Sequence, residues 1–370
     1  MSLRAFLALA LATVIAVVAT VIVLTSQGSG PAAREPGTAM LPELATGLEN
    51  ATRVVMTRGG EKTSIRRVSA GAEGTWVVEE LSDYPSHTGF IRDLLGNLSR
   101  LITLEPKTRR PDLYSKLDVE DPTTAAARST RLEIFAGDKK LADIILGKTK
   151  SAMAGQESLY VRRPDEDRAW LARGKVDAPT NRLGWVDTQF LVVDLPRIQH
   201  ATLNRPANGP RVHVFKKSRD ERDFTIEGMP ADYEVKDIFG AEDVARVIQQ
   251  LTFEAVRQAG TLKLDTTIQP WAEFVTFDGL KIDLWLEERE GKNWVAVRAS
   301  AAPTTLPANP PAAETAGEPG GSEPRDVAAE IKTINDRVQP WVYAITSYEN
   351  GNLRKTLDDL IQKKADDKAK

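Results

Sequence analysis

The sequence predicts an α+β protein: an N-terminal transmembrane helix followed by two similar, mainly antiparallel β-rich units, each with a packed helix. Three observations predict this architecture. They are an unbroken apolar run over residues 5–24, a series of short alternating stretches separated by glycines, and the return of that series after about 150 residues. The return predicts an internal duplication. The alternative is two unrelated α+β domains that share common elements.

The apolar run over residues 5–24 contains no charge, no Pro and no Gly. A helix of this length spans a hydrocarbon core of about 30 Å. A secretory signal would have an apolar region of about 7 to 15 residues and a small-x-small cleavage site. Small residues at Ser26 and Gly28 leave cleavage open as the alternative. We therefore predict a membrane anchor over residues 1–26 that holds the chain in the lipid bilayer.

The charges that flank the run predict its orientation. Arg4 precedes the run without any acidic residue, whereas Arg34 and Glu35 follow it at a distance and with opposite signs. The N-terminus should therefore stay in the cytoplasm. The predicted location is a bacterial inner membrane, crossed once, with the bulk of the chain in the periplasm. The absence of cysteine is compatible with that oxidising compartment.

Composition places the rest of the chain among folded proteins. It has 41% hydrophobic and 27% charged residues, and its length suggests about two domains after the anchor. The formal net charge is −3, with acidic and basic residues interspersed. A nucleic-acid partner would call for a clustered basic face. We therefore predict no nucleic-acid partner.

A flexible stalk over residues 27–46, rich in Gly, Ser, Pro and Ala, leads to the first repeat, assigned to residues 47–195. Apolar residues spaced by three and four between Phe90 and Leu101 predict a helix with Ser86 or Thr88 as N-cap. Alternating stretches predict the strands. They lie at 53–56, 64–68, 75–78, 131–135, 141–146 and 159–162.

The second repeat is assigned to residues 196–300, and its predicted elements follow the same order. Leu251 lies 150 residues after Leu101 at the end of the helical pattern, and Trp341 lies 156 residues after Trp185 in a similar Trp-Val context. The strands of this repeat are predicted at 201–203, 212–215, 223–226, 272–277 and 281–286.

A segment rich in Pro, Ala and Gly over residues 301–326 interrupts the second repeat. It has almost no large apolar residues and is predicted to be a disordered insertion. Residues 327–370 complete the repeat and end in a short amphipathic helix that includes Leu353, Leu357 and Ile361.

One triplet resembles the end of a phosphate-binding loop. Gly147-Lys148-Thr149 follows an apolar stretch, but the position of the first required glycine is Ala142. The residues between them are typical of a strand, which offers no cradle of free amides. We therefore predict no nucleotide site at Lys148 and Thr149.

The other reactive residues form no pattern of a known site. His87, His200 and His213 have no metal-ligand spacing, and no nucleophile elbow occurs. A carboxylate pair for glycoside chemistry stays open, because the many acidic residues always permit one. The sequence thus nominates no catalytic, cofactor-binding or metal-binding residue, and we predict a protein without enzymatic activity or cofactor.

Tryptophans in or beside predicted strands allow two interpretations. A stripe that binds sugar or peptide is conceivable, but core packing is the expected role for most of them. They are Trp76, Trp185, Trp271, Trp285, Trp294 and Trp341.

Four segments together resemble the bacterial domain-of-unknown-function family 4340. They are Trp76-Val77-Val78 with Asp83-Tyr84-Pro85, Ile145-Leu146-Gly147 with Leu159-Tyr160-Val161-Arg162, Trp185-Val186-Asp187 with Leu191-Val192-Val193-Asp194, and Trp341-Val342-Tyr343-Ala344-Ile345 with Tyr348. The resemblance covers most of residues 45–365. It implies one N-terminal membrane helix, a duplicated β-rich extracytoplasmic region and an association with gliding-motility-type ABC transporter components, and it carries no catalytic residues.

These patterns and the resemblance favour a membrane-tethered, non-catalytic accessory or scaffold subunit of an ABC-type transport complex, with the transporter's membrane subunits as partners. The alternative is a cell-envelope hydrolase or glycan-binding protein with a site between the two repeats.

Overall fold

The computed structural model describes residues 36–69, 74–151, 157–204, 210–302 and 326–364. The predicted anchor, the part of the predicted stalk before Pro36 and nearly all of the predicted insertion lie outside these residues. Residues 36–46 of the predicted stalk lie inside them, and Met40, Leu41 and Leu44 are buried there. Within the described ranges, no helix is both long enough and apolar enough to cross a bilayer. The described chain is α+β, as predicted, with large antiparallel sheets and few helices.

The chain divides into two compact units. The first contains the described residues up to Val77 together with His87–Asn181, and the second contains Val78–Ser86 together with the described residues from Arg182 onward. Elements up to Arg173 are the helices α1 (Pro42–Gly47), α2 (Thr88–Ser99) and α3 (Tyr114–Leu117) and the strands β1 (Arg53–Arg58), β2 (Glu61–Arg67), β3 (Trp76–Val78), β4 (Tyr84–Pro85), β5 (Ile102–Pro106), β6 (Thr130–Ala136), β7 (Lys139–Ser151), β8 (Glu157–Arg162) and β9 (Ala169–Arg173).

The remaining elements follow Arg182. Helices are α4 (Gly240–Arg246), α5 (Val327–Val338), α6 (Ser347–Leu353) and α7 (Leu357–Leu360), and strands are β10 (Gln189–Leu191), β11 (Ile198–Leu203), β12 (Val212–Phe215), β13 (Thr225–Ile226), β14 (Tyr233–Val235), β15 (Leu251–Gln258), β16 (Ala272–Thr276), β17 (Leu280–Arg289), β18 (Lys292–Ala301), β19 (Trp341–Ile345) and β20 (Ile361–Lys363).

Within the first unit the strands of the sheet follow the order β3-β2-β1-β6-β7-β8-β9-β5, and β4 is left aside because it is assigned to the second unit. Alternation in β6 buries Leu132 and Ile134 on one face, which is why the stretch forms a strand. Helix α2 buries Ile91 and Leu94 as its spacing predicts. The predicted caps of this helix are wrong, because the Nδ1 atom of His87 accepts the hydrogen bond from Phe90 N at 3.1 Å.

The second unit is built on a sheet with the strand order β10-β15-β19-β18-β17-β16-β11-β12-β13. Its core contains the inward residues of these strands, among them Phe274, Leu284 and Val295. The predicted helix around Val244 ends at Arg246, and Leu251 is the first residue of β15 rather than part of the helix.

The two sheets share one strand order. Adding ten to each strand number of the first sheet gives β13-β12-β11-β16-β17-β18-β19-β15, which is the order in the second sheet, where β10 lies beyond β15. An irregularity also recurs: the β5–β9 register shifts between Thr103 and Glu105, and the β15–β19 register shifts between Phe253 and Ala255, 150 residues later.

The match between Trp185 and Trp341 is wrong. Trp185 ends the 3₁₀ helix Arg182–Trp185, whereas Trp341 begins β19, which holds the place of β9 in the strand order. A Trp-Val dipeptide suits a buried turn and a buried strand alike, so it could not identify the element.

The predicted C-terminal helix is divided. Helix α6 ends at Leu353, and Thr356 then caps the single turn of α7, with reciprocal hydrogen bonds between Thr356 and Asp359. Ile361 begins β20, which pairs with β14, so the apolar spacing that predicted one helix belongs to a helix, a turn and a strand.

Candidate functional site

The triplet that resembles a phosphate loop lies within β7, as the strand interpretation predicted. Lys148 Nζ donates a hydrogen bond to the carbonyl oxygen of Lys116 at 2.9 Å and lies 3.7 Å from Asp118 Oδ1. A Cβ atom on Gly147 would lie 2.3 Å from the carbonyl oxygen of Leu117. The glycine therefore allows two backbone segments to approach closely, and the lysine holds the same segment.

The three histidines do not form one group. His87 caps α2, whereas His200 and His213 lie on neighbouring strands with stacked rings 5.3 Å apart. His213 Nδ1 and Thr202 Oγ1 are 2.8 Å apart and share a hydrogen bond. Burial lowers the pKa of both His200 and His213, so the rings are neutral at neutral pH.

The described residues contain no group of three or more His, Cys, Asp or Glu side chains placed to hold a metal ion. The tryptophans mostly serve the core, as expected: Trp76, Trp185, Trp285 and Trp294 are buried. Trp271 and Trp341 are half-buried. Trp170, which the sequence analysis did not single out, is also buried.

Tyr84 is the centre of an aromatic cluster in the second unit. Its ring meets Trp341 edge-on, with centroids 4.9 Å apart at 66°, and meets Phe253 edge-on at 5.1 Å. Phe190 stacks on Tyr343 at 3.9 Å. Edge-on and offset contacts of this kind add about 0.5–1.5 kcal/mol per pair beyond burial. We call these five residues together with Arg337 and Asp187 the Tyr84 cluster.

The polar groups of the Tyr84 cluster are hydrogen-bonded or paired with one another. The hydroxyl groups of Tyr84 and Tyr343 are hydrogen-bonded to each other. The Tyr343 hydroxyl also donates to the carbonyl oxygen of Arg337 at 3.3 Å, and the Arg337 guanidinium pairs with Asp187 at 3.1 Å. Burial raises the pKa of both tyrosines, which therefore stay neutral at physiological pH.

A sharp turn brings Tyr84 into the cluster. The 3₁₀ helix Glu79–Leu81 is followed by two residues in the left-handed region, Ser82 at φ 60° and Asp83 at φ 64°. Gln258 donates its side-chain amide to the carbonyl oxygen of Ser82 at 3.1 Å, and the Ser86 hydroxyl donates to that of Trp185 at 2.5 Å. These bonds hold a backbone conformation that is unfavourable for residues other than glycine.

The Tyr84 cluster joins distant parts of the chain. Three segments that carry the family resemblance meet in it: Asp83-Tyr84-Pro85, Trp185-Val186-Asp187 and Trp341-Val342-Tyr343. Its two tyrosine hydroxyl groups are buried and hydrogen-bonded, and burial raises the pKa of both, which opposes their ionisation to a nucleophile. The arrangement therefore stabilises the second unit.

A second polar feature occurs in both units. In the first unit, Lys140 Nζ lies 2.7 Å from Glu133 and 2.8 Å from Asp143, which are opposite each other on β6 and β7. In the second unit, Lys281 Nζ lies 3.0 Å from both Glu273 and Asp283, which are opposite each other on β16 and β17. We call each set a charged trio.

The two charged trios differ in the cations that lie beside their aspartates. Arg131 donates two hydrogen bonds to Asp143, at 2.8 and 2.7 Å. Burial alone would raise the pKa of Asp143, but the bonds from Arg131 and Lys140 outweigh it and lower the pKa. Asp283 has Lys281 as its close cation, and there burial prevails and raises the pKa.

Sequence reasoning missed both the Tyr84 cluster and the charged trios. The trios had a signal: Glu273 lies 140 residues after Glu133, Asp283 lies 140 after Asp143, and Lys281 lies 141 after Lys140. The cluster had no such signal, because Tyr84 belongs to the second unit although the residues on both sides of Val78–Ser86 belong to the first.

The fold and the cluster define an α+β protein of two β-rich units that share a strand order. The sequence model of the family described as Domain of unknown function (DUF4340) matches residues 76–267, a little more than half of the chain, and the chain belongs to this family. No curated protein and no solved structure gives a significant match to the sequence.

Proposed function

We propose that the chain is a non-catalytic, membrane-tethered accessory or scaffold subunit on the extracytoplasmic side of an ABC-type transport complex. One observation carries the proposal: segments that identify the family meet in the packed Tyr84 cluster, whose two tyrosine hydroxyl groups are buried and hydrogen-bonded. We infer that the packed residues of the cluster preserve a surface shape that partners recognise. The partners are the membrane subunits of the transporter, and the tether is the predicted helix over residues 5–24.

The positions of the nominated reactive groups support the same proposal. Lys148 is bonded to the backbone at Lys116, and His87 is a helix cap. His213 is hydrogen-bonded to Thr202 and stacks on His200. Each contact has a structural purpose that accounts for the residue without a reaction.

We further infer that the two units arose by duplication. The shared strand order, the register shift at Thr103 and at Phe253, and the charged trio on corresponding strands support this inference. The test is superposition of β1–β9 without β4 on β11–β19 without β14 in an experimental structure. Agreement of the Cα traces strand by strand is expected, and agreement only with a different strand correspondence would contradict the duplication.

The tether is tested by fractionation of the full-length chain. The protein should stay in the membrane fraction after a carbonate wash, and protease added outside the inner membrane should digest its body. A soluble periplasmic form that begins near Gln27 would show that the segment is cleaved.

The partner is tested by capture. Full-length protein with a C-terminal tag is solubilised in mild detergent, and co-purified membrane proteins are identified by mass spectrometry. Membrane subunits of an ABC-type transporter should be enriched over the sample from an unrelated single-pass protein. The H87A/H200A/H213A variant should retain them, and Tyr84→Ala, which opens the cluster, should lose them. No enrichment with the wild-type chain would overturn the proposal.

A further inference from the structure

A cleft in the second unit has the composition of a ligand site. Its volume is about 410 Å³, which falls within the range of about 300–1,000 Å³ that is usual for small-molecule sites. It lies between the connection that follows β15, the strands β17 and β18, and the start of β19. The lining residues that the argument uses are Lys263, Thr266, Trp285, Arg298, Gln339 and Trp341.

The cleft is positively charged. Lys263 and Arg298 line it, and none of its lining residues is acidic. Neither cation has an ion pair or a side-chain hydrogen bond among the residues that the structure describes. Other basic residues of the same unit are paired, for example Arg257 with Glu290 at 2.6 Å. Two cations without a close ion pair in one cleft favour an anionic ligand.

The neighbours of Arg298 that the structure describes orient its guanidinium without forming hydrogen bonds to it. Its guanidinium lies over the ring of Trp285, 5.0 Å from the centroid. Asp283 is opposite Arg298 in the register of β17 and β18 and interacts with it electrostatically, but its carboxylate is 3.0 Å from Lys281 Nζ and makes no hydrogen bond with the guanidinium. The guanidinium therefore keeps its donors for a ligand, and a planar guanidinium suits the two oxygens of a carboxylate.

The remaining walls suit a sugar ring. Trp341 is half-buried at the edge of the cleft and offers an apolar surface. The side chains of Thr266 and Gln339 have no hydrogen-bond partner within the described ranges. A hydroxyl and an amide can both donate to and accept from sugar hydroxyl groups.

We propose that this cleft binds a carboxylate-bearing saccharide. Lys263 and Arg298 bind the carboxylate, Trp341 packs against the face of the ring, and Thr266 and Gln339 bind its hydroxyl groups. The residues that line the cleft all belong to the second unit. The inference uses these residues alone and does not depend on the transport partner proposed above.

The test is isothermal titration of the full-length chain in detergent with digalacturonic acid, with neutral galactobiose and with triglutamate. Digalacturonic acid should bind, and raising the salt concentration should weaken its binding. Galactobiose should bind at least about tenfold more weakly, the change expected when one charge-assisted contact is lost. Triglutamate, which has carboxylates but no sugar ring, should also bind at least tenfold more weakly.

Variants separate the cleft from the rest of the surface. The K263Q/R298Q variant should weaken binding of digalacturonic acid by at least about tenfold. Arg257→Gln is the matched control, because Arg257 also lies over a tryptophan, Trp294 at 5.1 Å, but outside the cleft. Circular dichroism checks that each variant is folded. The proposal is overturned if digalacturonic acid does not bind or if either comparison compound binds equally well. It is also overturned if the K263Q/R298Q and Arg257→Gln variants weaken binding equally.

Discussion

The ring of Tyr84 lies edge-on against the ring of Trp341, with centroids 4.9 Å apart at 66°. Tyr84 is 5% exposed, and the Tyr343 ring beside it is completely buried. Most residues near Tyr84 in the sequence belong to the first unit, so this contact makes the second unit depend on a segment from far outside its main span.

Tyr84→Ala should therefore destabilise the second unit by about 3–5 kcal/mol, the usual cost of truncating a buried aromatic residue. Tyr84→Phe keeps the ring and loses one hydrogen bond, so it should cost about 1 kcal/mol. The measurement is urea unfolding followed by tryptophan fluorescence. Tyr348→Ala is the control, because Tyr348 is 71% exposed and should change stability little. Equal effects of Tyr84→Ala and Tyr348→Ala would contradict the packing role.

Gly147→Ala should destabilise the first unit by about 1–3 kcal/mol, because the added Cβ overlaps the carbonyl oxygen of Leu117. Gly351→Ala is the matched control, since a Cβ there has no atom within 4 Å. Thermal unfolding of the two variants gives the comparison. A nucleotide site would instead show itself as loss of function in a folded K148A/T149A variant.

The two charged trios should respond differently to the loss of a carboxylate. Asp143→Asn breaks bonds from Arg131 and Lys140 and should cost about 1–3 kcal/mol at neutral pH, whereas Asp283→Asn should change stability little or raise it. The pKa of Asp143 is lowered in the folded state, so its contribution is present at neutral pH. It is lost as the pH falls below about 4.

The sign is opposite for Asp283. Its raised pKa means that the folded state binds the proton more readily than the unfolded state, so its ionisation weakens the fold as the pH rises through the folded pKa. Urea unfolding of both variants between about pH 3 and pH 8 measures the difference, because this range includes the pKa values of carboxyl groups. Identical pH profiles for Asp143→Asn and Asp283→Asn would contradict the assignment.

The stacked histidines should make the second unit sensitive to mild acid. Burial lowers the pKa of His200 and of His213, with the Glu227 carboxylate opposing that shift in both, and Arg211 adding to it at His213. The unfolded state then binds more protons than the folded state, so stability falls as the pH drops below about 6.5. The H200Q/H213Q variant should lose this part of the pH dependence of the melting temperature. An unchanged slope would mean that the two rings are not neutral in the folded state.

Local patterns predicted most of the fold because alternation and helical spacing are properties of neighbouring residues. The strands β1, β2, β6 and β7 and helix α2 lie where these patterns place them. The C-terminal helix was wrong because Ile361 pairs with Val235, a partner that is distant in the sequence. Tertiary pairing of this kind overrides local preference.

The Tyr84 cluster and the cleft were beyond sequence reasoning for a related reason. The aromatic residues of the cluster come from four separate regions, and each of them looks like an ordinary core residue in its own segment. The cleft depends on which charges lack partners, and Arg298 differs from Arg257 only in the neighbours that the fold provides. Neither property is visible in a single stretch of sequence.

The placement of Val78–Ser86 in the second unit has a consequence for biosynthesis. Tyr84 leaves the ribosome long before Trp341 is translated, so its ring stays exposed to water until the strand that covers it has been made. A chaperone that shields apolar side chains would bind the chain in this interval. An expression fragment that ends at Asn181 keeps Tyr84 but lacks Trp341, and we expect it to aggregate.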